Sequence, residues 1–194
     1  MSSRIAPSRW GLLAVLLTSL LTACGSLRPF HATRSLSDVA AAEGARVLVA
    51  HFRHGDQRAR GTSRDDVGLE LDVTVQAQSQ QIADEVAADL HVVHWREGDR
   101  LVIDVEPRGD HWPADSFSVF VSSRMELPAH MALEVSTTHG DLDLGGVHGD
   151  VHARATHGDV ELHDVGGNVD VRSTHGSLRL TDIRGLGPHA LRTT

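Results

Sequence analysis

From residue 133 to residue 183 the apolar positions fall on a fixed grid. Gly140, Gly149, Gly158, Gly167, Gly176 and Gly185 stand nine residues apart. Two positions past the first five glycines come Leu142, Val151, Val160, Val169 and Leu178, and four past come Leu144, Ala153, Leu162, Val171 and Leu180. Seven past stand Val147, Thr156, Val165, Thr174 and Ile183. Leu133, Val135 and Thr138 extend the register one unit back, with Met131 in the glycine slot. Fifteen of these 18 positions are apolar against 40% for the whole chain, so the grid marks a buried face. Spacing of i, i+2 predicts strands buried on one side, and a glycine every nine residues predicts corners that take a positive φ. A period of 18 lies over the nine: Thr138-His139-Gly140, Thr156-His157-Gly158 and Thr174-His175-Gly176. The pattern predicts a mostly all-β fold, a β-solenoid whose 18-residue coils each hold two nine-residue strand–turn units and stack to bury a continuous ladder.

Upstream the periodicity is less regular. Val47–Ala50 reads as a strand, followed by a corner at His54-Gly55-Asp56. Leu69, Leu71, Val73 and Val75 alternate, as do Phe117, Val119 and Val121. One short helix is expected near 79–89, with Ser79 as N-cap and Ile82, Val86 and Leu90 on one face. Glu97-Gly98-Asp99 between two apolar runs is a hairpin signal. After Ile183 the inward slots become Gly187, His189 and Arg192, so the solenoid is expected over 44–185 with residues 186–194 as a tail. Its last strand would leave an edge open to self-association.

Arg4 and Arg9 precede an apolar run from Gly11 to Leu21 that is too short to span a bilayer comfortably. Leu21-Thr22-Ala23-Cys24 follows, and it resembles the lipobox of bacterial lipoproteins. That resemblance implies a signal peptide over 1–23, diacylglycerol on the Cys24 sulfur and a tether over 24–43. Cys24 is the only cysteine, so no internal disulfide can form. The expected location is the bacterial cell envelope, lipid-anchored outside the cytoplasm.

The run from Met125 to Leu142, with a strand, Pro128, a second strand and then Gly140-Asp141-Leu142, resembles the bacterial putative-adhesin family. The likeness covers roughly residues 44–185, and the repeats are its specific part. It implies a β-solenoid domain and carries no catalytic residues, so no enzyme is expected. Where that family commonly has Asn before the corner glycine, this chain has His139, His157 and His175.

Composition narrows the partners. Eighteen basic residues, every one Arg, stand against 26 acids for a net charge of −8. Loss of residues 1–23 would remove Arg4 and Arg9 and no acid, which leaves −10. That balance argues against nucleic acid, whose binders need a basic face. Aromatic residues are 4% and there is no Tyr, so stacking platforms are few. The remaining expectation is a binding or scaffold surface for an envelope protein or a polysaccharide.

Fourteen histidines are the compositional outlier. His139, His157 and His175 should stack at one corner, one strand spacing apart. With Asp141 and Asp159 two residues on, they form a candidate site for weak zinc, copper or nickel binding. Adjacent rings in a flat row suit a tetrahedral shell poorly. Neither Gly145-Gly146 nor Gly166-Gly167 continues into a calcium-binding nonapeptide. No other cofactor is expected.

Overall fold

The computed structural model describes residues 30–108, 116–185 and the backbone of 190–193. The chain is mostly β, as expected, with one short helix. In chain order the elements are β1 (Phe30–Ala41), β2 (Val47–His51), β3 (Gln57–Thr62), β4 (Asp66–Ala77), α1 (Gln80–Asp89), β5 (Leu90–Glu97) and β6 (Arg100–Pro107). They continue as β7 (Phe117–Pro128), β8 (Ala132–His139), β9 (Leu142–Gly145), β10 (Val151–His157) and β11 (Val160–Val165), and end with β12 (Val169–His175), β13 (Leu178–Ile183) and β14 (Ala190–Thr193). Two seven-stranded sheets result, ordered β1-β4-β7-β3-β9-β11-β13 and β14-β12-β10-β8-β2-β6-β5.

The repeat sets the register of the C-terminal strands. Val151 lies opposite Leu133 on one side and Val169 on the other, a parallel offset of 18 residues in both directions. In the facing sheet Val160 lies opposite Leu142 and Leu178 with the same offset. The chain therefore crosses from one sheet to the other about every nine residues. Leu133, Val135, Val151 and Ala153 from one sheet meet Leu142, Leu144 and Leu162 from the other in a single buried core.

Three expectations need correction. The first concerns uniformity over 44–185, because both sheets are mixed. Parallel pairing runs back through β2 and β6 in one sheet and through β3 and β7 in the other. Beyond them β4 pairs antiparallel with β7, β1 with β4, and β5 with β6. The second concerns the ends. Phe30–Ala41, expected within the tether, is a 12-residue edge strand paired along its length with β4. Residues 190–193, expected in the tail, add a parallel strand to β12.

The third concerns which positions face inward. In the longer strands the buried residues are Thr137, Ala155 and Ser173, not Thr138, Thr156 and Thr174. The cause is parity. From Leu133 an inward residue must lie an even number of positions away, and Thr138 is five away. The shorter unit tolerates the odd step from Leu144 to Val147 because a residue in the left-handed region resets the phase. Gly146, Asp164 and Asp182 hold φ of 67°, 51° and 54°, again 18 residues apart.

The glycine columns split likewise. Gly140, Gly158 and Gly176 have φ of 138°, 140° and 145°, as expected of corners. Gly149, Gly167 and Gly185 show no positive φ; they are glycine because the coils touch there. A Cβ on Gly149 would strike the Met131 backbone, one on Gly167 the Gly149 backbone, and one on Gly185 the Gly167 backbone.

Helix α1 packs against β1 and β4 at the end of the stack away from the repeats. Ser79 Oγ accepts the Ile82 N–H at 3.2 Å, and Ala83, Val86 and Ala87 are buried. Arg34 on β1 reaches the other helix end, where its guanidinium donates to the Ala87, Ala88 and Leu90 carbonyls at 3.1, 2.5 and 3.0 Å. These are the carbonyls that a helix leaves without internal partners. Between β3 and β7 the buried Gln57 amide donates to the Val121 and Gly55 carbonyls and accepts from the Ser123 hydroxyl.

Candidate functional site

The histidine corner forms, and it is longer than the sequence suggested. The His139 and His157 rings stack at 4.8 Å with planes 18° apart, and His157 and His175 at 4.7 Å and 19°. His54 joins the column through a parallel bridge to His139, its ring 5.1 Å away, and Phe120 closes that end at 5.0 Å from His54. His54 was legible as a member: His54-Gly55-Asp56 repeats the triplet of His139-Gly140-Asp141 and His157-Gly158-Asp159, though not at a multiple of nine. Burial, then the charges of His139 and Arg53, pull the His54 pKa below the ordinary imidazole value.

The aspartates beside the column accept backbone hydrogen bonds. Asp141 N–H donates to Asp56 Oδ1 at 3.0 Å, Asp159 N–H to Asp141 Oδ1 at 2.8 Å, and Ser177 N–H to Asp159 Oδ1 at 2.7 Å. The Asp141 and Asp159 carboxylates each tie their own strand–turn unit to the one 18 residues on. Asn168 N–H makes the same bond to Asp150 Oδ1 at the opposite corner. The rings lie face to face, so their nitrogens do not converge on one point. Among the described residues no three His, Cys, Asp or Glu side chains gather as a metal site. The rings of His139, His157 and His175 form a stacked column, and Asp141 and Asp159 beside it each accept the backbone N–H 18 residues on.

The outward faces carry the remaining ionisable side chains in rows. On the first sheet the register aligns Glu70, Arg124, Arg58, Asp143, Glu161 and Arg179 across six strands. Asp143 is the hub, with Arg60 Nη2 at 2.6 Å and Arg58 Nε and His163 Nε2 each at 3.8 Å. On the second sheet the aligned residues are Trp95, Val102, Val49, Glu134, His152 and Asp170, of which Val49 is buried. Arg100 Nη2 lies 2.6 Å from Glu134 Oε2, His51 Nε2 3.7 Å from Oε1, and His152 Nδ1 3.7 Å from Asp170. Burial opposes ionisation of Glu134, but the Arg100 hydrogen bond and charge, with His51 and His152, outweigh it and hold the carboxyl low. Asp104 moves the other way, pushed up mainly by burial against the Val105 N–H that it accepts. The pairing of these acids with Arg follows from the strand register, which the sequence alone does not give.

Cys24 and the 1–23 signal lie outside the described residues, and among those residues no helix is long and apolar enough to cross a membrane. No known family profile matches the chain, and no curated protein matches it. Solved structures similar to the chain at low identity include the following three. A putative cell adhesion protein from Clostridium sporogenes has a TM-score of 0.45 at 10% identity, covering 84% of this chain and 100% of that one. A putative lipid binding protein from Parabacteroides distasonis gives 0.37 at 10%, over 80% of this chain and 60% of that one. A putative adhesin from Parabacteroides merdae gives 0.31 at 8%, over 86% and 92%.

Proposed function

We propose that this chain is a non-enzymatic, adhesin-like cell-envelope lipoprotein whose parallel strands form a β-solenoid used as a binding surface. The observation that supports this most is the constant offset of 18 residues in both sheets. It sets outward side chains in straight rows at single strand spacing, about 4.8 Å. Such a face fits an extended partner, a polysaccharide or a protein strand, better than a small molecule, which needs a concave site. Glu134 and Asp143 are held by arginines and Asp141 and Asp159 by backbone N–H groups, which suits a rigid scaffold rather than proton transfer. The outer face of the second sheet is the leading surface, since Trp95 begins its row and His152 and Asp170 continue it.

A photo-crosslinking residue in place of His152, with one at Glu161 on the opposite face as reference, tests this in intact cells. The expected result is a defined envelope adduct from position 152 that weakens with Trp95→Ala. Absence of any adduct at both positions, or turnover of a glycan by the purified chain, would overturn it. The anchor rests on Leu21-Thr22-Ala23-Cys24. Cys24→Ser should abolish incorporation of an alkyne fatty acid and leave a precursor or a soluble chain; persistent labelling would refute lipidation there.

A further inference from the structure

Each sheet ends in two strands with one neighbour only. Among the described residues nothing pairs with the outer edges of β1 and β5 at one end, or of β13 and β14 at the other. An edge of this kind presents N–H and C=O groups to any strand that approaches, and on β1 the His31 carbonyl accepts from Gln80 of α1 at 3.3 Å. None of the four strands contains proline.

The side chains at the two ends are complementary. The exposed large apolar residues among those described are Phe30 at 41%, Val39 at 56% and Trp95 at 39%, and all three sit on β1 or β5. At the opposite end Leu178, Leu180 and Ile183 are only half-buried. Their counterparts one coil earlier, Val160, Leu162 and Val165, are buried because another coil covers them. A further layer would complete the burial of the last coil in the same way.

Charge points in the same direction. On β1, α1 and β5 stand Asp38, Asp84, Glu85, Asp89 and Glu97 against Arg34 and Arg96, a net of −3. Among residues 169–185 stand Arg172, Arg179 and Arg184 against Asp170 and Asp182, a net of +1, with Arg184 also paired to Asp164 of β11. The two ends attract each other, whereas like ends repel.

We infer that copies of this chain associate head to tail, the β1/β5 end of one on the β13/β14 end of the next. The contact continues both sheets from copy to copy. It is heterologous, so it does not close on itself as a two-fold contact does, and it generates rows rather than dimers. Salt screens the attraction between exposed ends.

Sedimentation velocity of the mature chain over rising concentration tests this with two variants. Val39→Lys places a charge on an exposed position of the head. Leu180→Lys places one at the half-buried edge of the tail, a device natural edge strands use against pairing. Wild type should grow in mass without a plateau, and less so in high salt. Each variant alone should remain monomeric where wild type associates, a weakening of at least tenfold. An equimolar mixture should form one-to-one dimers and nothing larger, because only one head and one tail remain competent. Should Leu180→Lys lose its far-ultraviolet circular dichroism, Arg179→Glu, fully on the surface, serves as the tail variant. A wild type that stays monomeric, a plateau at dimer, or variants that associate like wild type would overturn the inference.

Discussion

Leu162 and Leu180 occupy the same column one coil apart, and comparing their truncation measures what a covering coil contributes. Leu162 is 0% exposed, with Leu144 opposite it on one side and Leu180 on the other. Leu180 has Leu162 on one side and no described strand on the other. Leu→Ala removes about three carbons, worth ~2.4 kcal/mol at 0.8 per methylene. A cavity walled on both sides cannot collapse fully, so Leu162→Ala should cost about 3–4 kcal/mol in all. At Leu180 half of the transfer term is absent and the open side relaxes, leaving roughly 1 kcal/mol. Urea unfolding followed by far-ultraviolet circular dichroism would resolve a gap of ~2 kcal/mol, which exceeds the error of extrapolation for a chain of this size. Low micromolar protein keeps association out of the measurement. Amide exchange should show the same asymmetry, with β13 opening more readily than β11, since stacked units contact only their neighbours. Equal costs at the two leucines would refute the assigned register and place the end of the stack elsewhere.

Stability should fall on acidification. The His54 pKa is depressed in the folded state, so the unfolded chain binds the proton more readily; stability present above about 6.5 is lost as pH drops toward the folded value. Urea midpoints between pH 7.5 and 5 should show this, and His54→Asn should flatten the slope. Asp159→Ala should cost about 1 kcal/mol and speed exchange of the Ser177 amide, whereas Asp159→Asn, which keeps an acceptor, should do neither. Gly149→Ala should lower the thermal midpoint by many degrees, at about 2–4 kcal/mol, because its Cβ meets the Met131 backbone, which cannot give way as a side chain would.

The repeat made the C-terminal half legible because a single constraint, stacking at an 18-residue offset, fixes glycine, aspartate and aliphatic positions together. Ser79 and the Ile82, Val86, Leu90 face likewise marked the helix, since a cap and a 3.6-residue period are local signals. What stayed hidden depended on other strands. β1 escaped because two of its inward slots hold Arg34 and Asp38, whose partners are the end of α1 and His94. Thr156 and Ala155 are neighbours in sequence, and only a strand without a phase reset decides between them. A one-dimensional pattern likewise cannot show that Asp141 and Asp159 each accept the backbone N–H 18 residues on.

The proposed lipid on Cys24 and the proposed head-to-tail contact would together constrain how copies lie on a bilayer. From Cys24 to Phe30 are six residues, which reach about 20 Å when fully extended. The β1 end of every anchored copy must then stay within that distance of the headgroups. Across a seven-stranded sheet the β13 end lies roughly 29 Å further along at 4.8 Å per strand. When the head of one copy docks on the tail of another, that tail is also brought near the surface. Upright copies would not satisfy both conditions, so under these two proposals the stacking axis would run along the membrane. Inserting about 20 Gly and Ser residues after Gly25 removes the constraint while leaving both ends untouched. The longer tether should leave association in solution unchanged and, on vesicles, raise the height of the chain above the bilayer as read by energy transfer from a dye at position 161. An unchanged height would mean that the short tether does not set the orientation.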